Sequence, residues 1–145
     1  MKKTTTALIA LGLAASIGFA NAASHADAVT ERQELMKAIG GQTKVLSDMA
    51  KGTTAFDAAA AGAASRMLAD YARQVPAKFE VESLEGKTKA TPLIWEQFDG
   101  FTAEATKLEN AAMGAFGATD MASLGAAVGE IGKTCGSCHE AYRSR

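Results

Sequence analysis

Seven positions near the end of the chain, Met121, Leu124, Val128, Ile131, Cys135, Cys138 and Tyr142, follow one another at steps of three and four without a break. That rhythm constrains the fold more than any other feature, because a helix with one dry face needs other helices to cover it. It also sets Cys135 and Cys138 on the dry seam, with His139 beside it one turn after Cys135, so the three groups face one interior space. Two cysteines three apart with a histidine next to the second form the signature for covalent attachment of a c-type haem. The thiols add across the porphyrin's vinyl groups as thioethers, and the adjacent imidazole becomes the proximal iron ligand.

Other uses of this pair fit less well. A thioredoxin-like redox pair follows a strand in a βαβ pattern, and no strand precedes this one. A zinc site needs about four ligands, and the only other histidine is His25. A disulfide would leave the adjacent histidine without a purpose.

The start of the chain reads as a cleavable export signal over residues 1–22: Lys2 and Lys3, an apolar run from Ala7 to Ala20, then small residues at Ala20-Asn21-Ala22. The run is short for a bilayer and carries Gly12, Ser16 and Gly18, so a membrane anchor is disfavoured and no stable membrane insertion is expected. Cleavage after Ala22 removes two lysines and leaves residues 23–145, with 13 basic and 16 acidic side chains and a formal charge of −3. That is enough chain for one domain with a single core, and its mild acidity argues against a nucleic-acid partner.

The remainder predicts an all-α fold of four helices. The first spans about Asp27 to Met49 and is left at Gly52; the second spans about Phe56 to Gln74 and stops before Pro76. A loop over Val75 to Ala90 follows. The third helix starts at Thr91-Pro92 and fades at Gly114 to Gly117, and the fourth begins near Thr119-Asp120. The expected seams are Val29, Arg32, Met36, Ile39, Thr43, Leu46 and Ala50 on the first helix, and Phe56, Ala60, Ala63, Met67 and Tyr71 on the second. On the third they are Ile94, Phe98, Phe101, Ala105, Leu108 and Ala112. Arg32 is out of place in its row unless something pairs with it.

Short connections make neighbours antiparallel, and the simplest closure is an up-down-up-down four-helix bundle. The haem site at the end of the fourth helix then lies among Arg32, Met36, Met67, Trp95 and Phe98. Met49 is excluded as a second iron ligand, because the thirteen residues from Met36 to Met49 span about 20 Å of helix. Met113 and Met121 belong to that far end too. Met36, Met67 and His25 remain as donors, and an empty sixth position is the fourth possibility.

The helix pattern, the export signal and the run Cys-x-x-Cys-His-x-x-Tyr-Arg, present as Cys135 to Arg143, resemble the class II c-type cytochromes, the cytochrome c prime family. The resemblance covers essentially the whole mature chain. Within it, the stretch Arg32-Gln33-Glu34-Leu35-Met36-Lys37 is similar to the low-spin branch and implies Met36 as the sixth ligand opposite His139. It also implies that Arg32 and Gln33 contact a haem propionate and that Arg143 lies near the proximal imidazole. Where family members often carry prolines between the first two helices, this chain has Gly52-Thr53-Thr54.

With both axial positions filled, the expected function is one-electron transfer in the periplasm with other redox proteins, as a monomer or homodimer, and not an enzymatic reaction. The alternative is a five-coordinate protein that binds nitric oxide or carbon monoxide. Peroxidase chemistry is disfavoured, because the seam offers no distal histidine beside Arg32.

Overall fold

Three of the helix boundaries trace to a residue whose chemistry starts or stops a helix. The structure, a computed structural model, describes residues 17–145 and their side chains at residue 25 and from 27 onward; the export signal expected over residues 1–22 lies largely outside them. The elements are α1 (Ile17–Ala50), α2 (Ala58–Lys78), α3 (Leu93–Glu96), α4 (Phe98–Ala115) and α5 (Met121–Tyr142). Gly52, at a positive φ of 72°, ends α1 as expected. Asp57 caps α2 by accepting from the Ala60 N–H at 2.8 Å. Asp120 opens α5 through a reciprocal capping box with Ser123.

The long helices close a ring in which α1 packs on α2, α2 on α4, α4 on α5 and α5 on α1, and among the described residues no diagonal pair of helices brings its backbones as close. This is the expected up-down-up-down bundle, with the starts of α1 and α4 and the ends of α2 and α5 at one end. Leu46, Leu68, Ile94, Leu124 and Ile131, spread along its length, are its largest fully buried apolar side chains.

Four expectations need correction. The first helix begins ahead of Asp27, at Ile17. The second starts at Ala58 and runs through Pro76 to Lys78, because burial of Val75 and Phe79 holds its last turn although Pro76 supplies no N–H. Its expected seam is on the wrong face: Ala60, Ala63 and Met67 are exposed, and the buried row is Ala61, Ala64, Ser65, Leu68, Ala72 and Val75. The third helix is broken at Gln97, whose non-helical backbone divides α3 from α4 while both Ile94 and Phe101 stay buried.

The far end of the chain is tied to the segment before α3. Ala90 and Arg143 form a lone antiparallel bridge, the Ser144 N–H donates to the Lys89 carbonyl at 2.8 Å, and the Thr91 N–H donates to Tyr142 at 3.1 Å. Tyr142 lies edge-on to Phe101, ring centroids 5.4 Å apart. Gly100 is the close approach that admits it, since a Cβ there would stand 2.8 Å from the Tyr142 hydroxyl. Gly100→Ala is therefore expected to destabilise the fold by about 1–2 kcal/mol. Gly129→Ala, in mid-α5 with nothing within 4 Å, should stabilise it by about 0.5–1 kcal/mol. Thermal melts of both variants check the pair, and equal effects would contradict the contact.

The α5 cap adds a pH dependence. Hydrogen bonds from Ser123 hold the Asp120 carboxyl below the usual aspartate range. A depressed carboxylate stabilises the fold above its unfolded pKa and loses that contribution as pH falls through the folded value. Asp120→Ala should thus lower the melting temperature at neutral pH, and the gap to the parent should close as the pH falls below the ordinary aspartate value of about 3.9.

Candidate cofactor site

Cys135, Cys138 and His139 stand together on α5, as the seam spacing requires. Both cysteines are free thiols, half-buried against the core. Burial raises both pKa values; that of Cys138 is pushed up to about 11, with Glu104 and Cys135 adding to the effect. Neutral thiols at neutral pH are the opposite of the depressed pair that a disulfide exchange centre needs. Among the described residues, no three His, Cys, Asp or Glu side chains converge on a point where a metal ion could sit, so a zinc cage has no support.

Two cavities, about 600 Å³ and 440 Å³, flank this part of α5. Both are lined by Met36, Val75, Cys138 and His139, so a methionine of α1 and the histidine of α5 border the same space. His139 is solvent-accessible at the groove; the surrounding protein first, and Arg143 second, lower its pKa and favour the neutral, ligating imidazole. Two thiols on one edge, an imidazole next to them and a thioether on the facing helix form a donor set that fits a covalently tethered haem.

The expected pocket wall needs correction. Arg32 and Met36 line the larger cavity, but Met67, Trp95 and Phe98 do not. Met67 is 43% exposed because the buried face of α2 lies elsewhere. The aromatic wall is Phe79, Phe101 and Tyr142, and Phe79 arrives there because α2 continues past Pro76. His25 lines neither cavity.

Arg32 is only 3% exposed and has a use the sequence did not reveal. Its Nε donates to the Lys78 carbonyl at 2.9 Å, one terminal nitrogen donates to Ser83 at 2.9 Å, and the other donates to Val81. The guanidinium also lies over the rings of Phe79, at 4.6 Å, and Trp95, at 5.3 Å. Burial lowers its pKa, and the three carbonyls, that of Lys78 at the C-terminal end of α2 and those of Val81 and Ser83 beyond it, supply the compensating negative dipoles. Trp95 completes the clamp by donating from Nε1 to the Phe79 carbonyl at 2.7 Å. Gln33, the next residue, donates to the Lys87 carbonyl at 2.6 Å. Arg32 and Gln33 therefore pin the segment between α2 and α3 to α1, and that segment forms one side of the larger cavity. Arg143 lines the same cavity and caps α5 through its N–H to His139.

Glu104 of α4 belongs to the site although no motif in the sequence marks it. It accepts from the Ser137 hydroxyl at 2.6 Å and pairs with Lys107 at 2.5 Å, and these two contacts, Lys107 first, lower its pKa. It holds the Gly136-Ser137 turn between the two cysteines. Its place next to Ala105 and one turn after Phe101's seam position reads, in sequence, as an ordinary solvated flank.

The family model described as Cytochrome C′ matches residues 27–143. A cytochrome c-556 of Agrobacterium fabrum is 38% identical over 143 residues, covering 97% of this chain and 94% of that one. The solved cytochrome c′ from Rhodopseudomonas palustris superposes with a TM-score of 0.76 at 36% identity, over 82% of this chain and 97% of that chain. An NMR-validated structural model for oxidized cytochrome c556 of R. palustris gives 0.73 at 36% identity, with the same coverage.

Proposed function

Since this chain belongs to the cytochrome c′ family, we propose that it is a periplasmic one-electron carrier whose covalent haem c is held by Cys135 and Cys138, with His139 and Met36 as the axial ligands. The observation that carries the reading is that Met36 and His139 line both cavities beside the two cysteines. Haem supplies the reversible one-electron centre when bound.

The protein's own residues set how that centre behaves. The thiols on α5 would tether the group, and the neutral imidazole of His139 would hold the iron from the same helix. Met36 would add a thioether, a weak and soft ligand that favours the ferrous state and raises the reduction potential. Phe79, Phe101 and Tyr142 close one wall and keep water off it. The clamp made by Arg32 and Gln33 keeps the segment over the larger cavity in place, and both residues have donors left for a propionate. No helix among the described residues is long and apolar enough to cross a membrane. A carrier of this kind docks transiently, and a small, short-lived contact suffices.

A spectroelectrochemical titration of the purified holoprotein tests the proposal. A single reversible one-electron wave with low-spin spectra at both ends is expected. An open sixth position, with nitric oxide or carbon monoxide taken up readily by the parent protein, would make gas binding the function instead.

A further inference from the structure

The larger cavity has an uneven charge. Five of its lining residues are cations, Arg32, Lys37, Lys87, Lys89 and Arg143, and none is a carboxylate. The chain as a whole runs the other way, with 16 acidic against 15 basic side chains. The neighbouring cavity is balanced, with Lys44 and Lys51 beside Asp48 and Glu104. Arg32 is buried and occupied by backbone carbonyls. The other four cations are exposed, and among the described residues none of them forms an ion pair. Glu80, Glu82 and Glu85, on the segment that also bears Lys87 and Lys89, do not line the cavity.

The backbone that carries these cations is held in place. Lys37 stands on α1, and Arg143 caps α5. The backbone carbonyl of Lys87 accepts from Gln33, and that of Lys89 accepts from Ser144. Cations rising from three anchored stretches of backbone need no ordering of the main chain when a partner meets them. A haem brings two propionates, which offset two of the five charges and leave the rim positive.

We propose that this rim is the docking surface of the carrier and that its partner is a redox protein presenting an acidic patch. The inference rests on the electron-transfer reading above. One electron crosses at the contact: the partner's centre loses it and the iron gains it, or the reverse, and no bond is made or broken. A positive rim on a mildly acidic protein orients it during approach and discriminates against cationic partners.

The test compares the holoprotein with the triple variant Lys37→Gln, Lys87→Gln, Lys89→Gln. Reduced protein is oxidised by ferricyanide, an anion, and by tris(phenanthroline)cobalt(III), a cation, at about 10 mM and about 200 mM salt, where screening differs strongly. The parent's rate with ferricyanide should fall about tenfold across that range, and its rate with the cobalt complex should rise. The triple variant should lose most of both responses. Poly-L-glutamate, titrated by calorimetry at low salt, should bind the parent and not the variant. Salt responses of the same sign for both reagents, a response that survives the substitutions, or polyglutamate binding that ignores them would overturn the proposal. So would a triple variant whose reduction potential moves while its salt response does not, because the lysines would then serve the propionates. Failure of the redox titration beside lysine-dependent polyglutamate binding would sink the electron-transfer reading and leave the acid-binding surface standing.

Discussion

Met36→Ala is expected to turn a closed, low-spin haem protein into an open, high-spin one that binds carbon monoxide. Met36 borders both cavities from α1, opposite the helix that carries His139, and among the described residues no other methionine lines either cavity. Alanine carries no donor atom and cannot replace the sulfur. A thioether bound about 99% of the time reduces the apparent affinity of a competing gas about 100-fold, so its removal should raise carbon monoxide affinity by at least that factor. The reduction potential should fall, because the lost ligand favours the ferrous state. The bundle should survive, since truncating a half-buried methionine costs at most about 2–3 kcal/mol. Met67→Ala is the control: Met67 is exposed and lines neither cavity, so its spectra should match the parent's. Absorption spectra with a carbon monoxide titration check the three proteins. A Met36→Ala spectrum identical to the parent's would return this residue to the core.

Arg32→Ala should produce the largest loss of stability. The substitution strips three backbone carbonyls, those of Lys78, Val81 and Ser83, of their donor at once and removes the cation lying over Phe79 and Trp95. Each buried polar group left unsatisfied costs about 1–3 kcal/mol, and water reaching the cut segment returns part of it, so a net loss of about 3 kcal/mol is expected. That corresponds to a melting temperature lower by about 10 °C. Lysine should restore only a fraction, because a single ammonium cannot reproduce three donors spread over a planar fork. Hydrogen exchange should localise the damage to residues 79–92, the segment the clamp holds. A melting curve within a degree of the parent's would show that the clamp contributes nothing.

What the sequence revealed depended on contrast between residues. On α4 and α5, large apolar side chains recur against polar ones, and the buried row follows the predicted one from Phe101 to Ala112 and from Leu124 to Tyr142. On α2 the contrast is missing: Ala58 to Ala64 are all small, so the few large residues, Met67 and Tyr71, drew the seam to the wrong face. Leu68 and Val75 mark the true one, where small neighbours let α4 come close. The helix-breaking rule failed at Pro76 because tertiary burial of Val75 and Phe79 outweighs one missing N–H. Arg32 was visibly anomalous in its row, but its partners are backbone carbonyls of a segment some fifty residues away, and no side-chain pattern encodes those. Glu104 is silent in the sequence for the same reason, since its partner Ser137 lies 33 residues on. The cysteine and histidine motif needed no tertiary information, because one helix carries all of it.

The central claim is that His139 and Met36 together close the iron to added ligands, and exposure of the reduced parent protein to carbon monoxide tests it most directly. Sharp low-spin bands that do not change on adding the gas are predicted. Broad high-spin bands that shift at low gas concentration would contradict the claim and identify an open site.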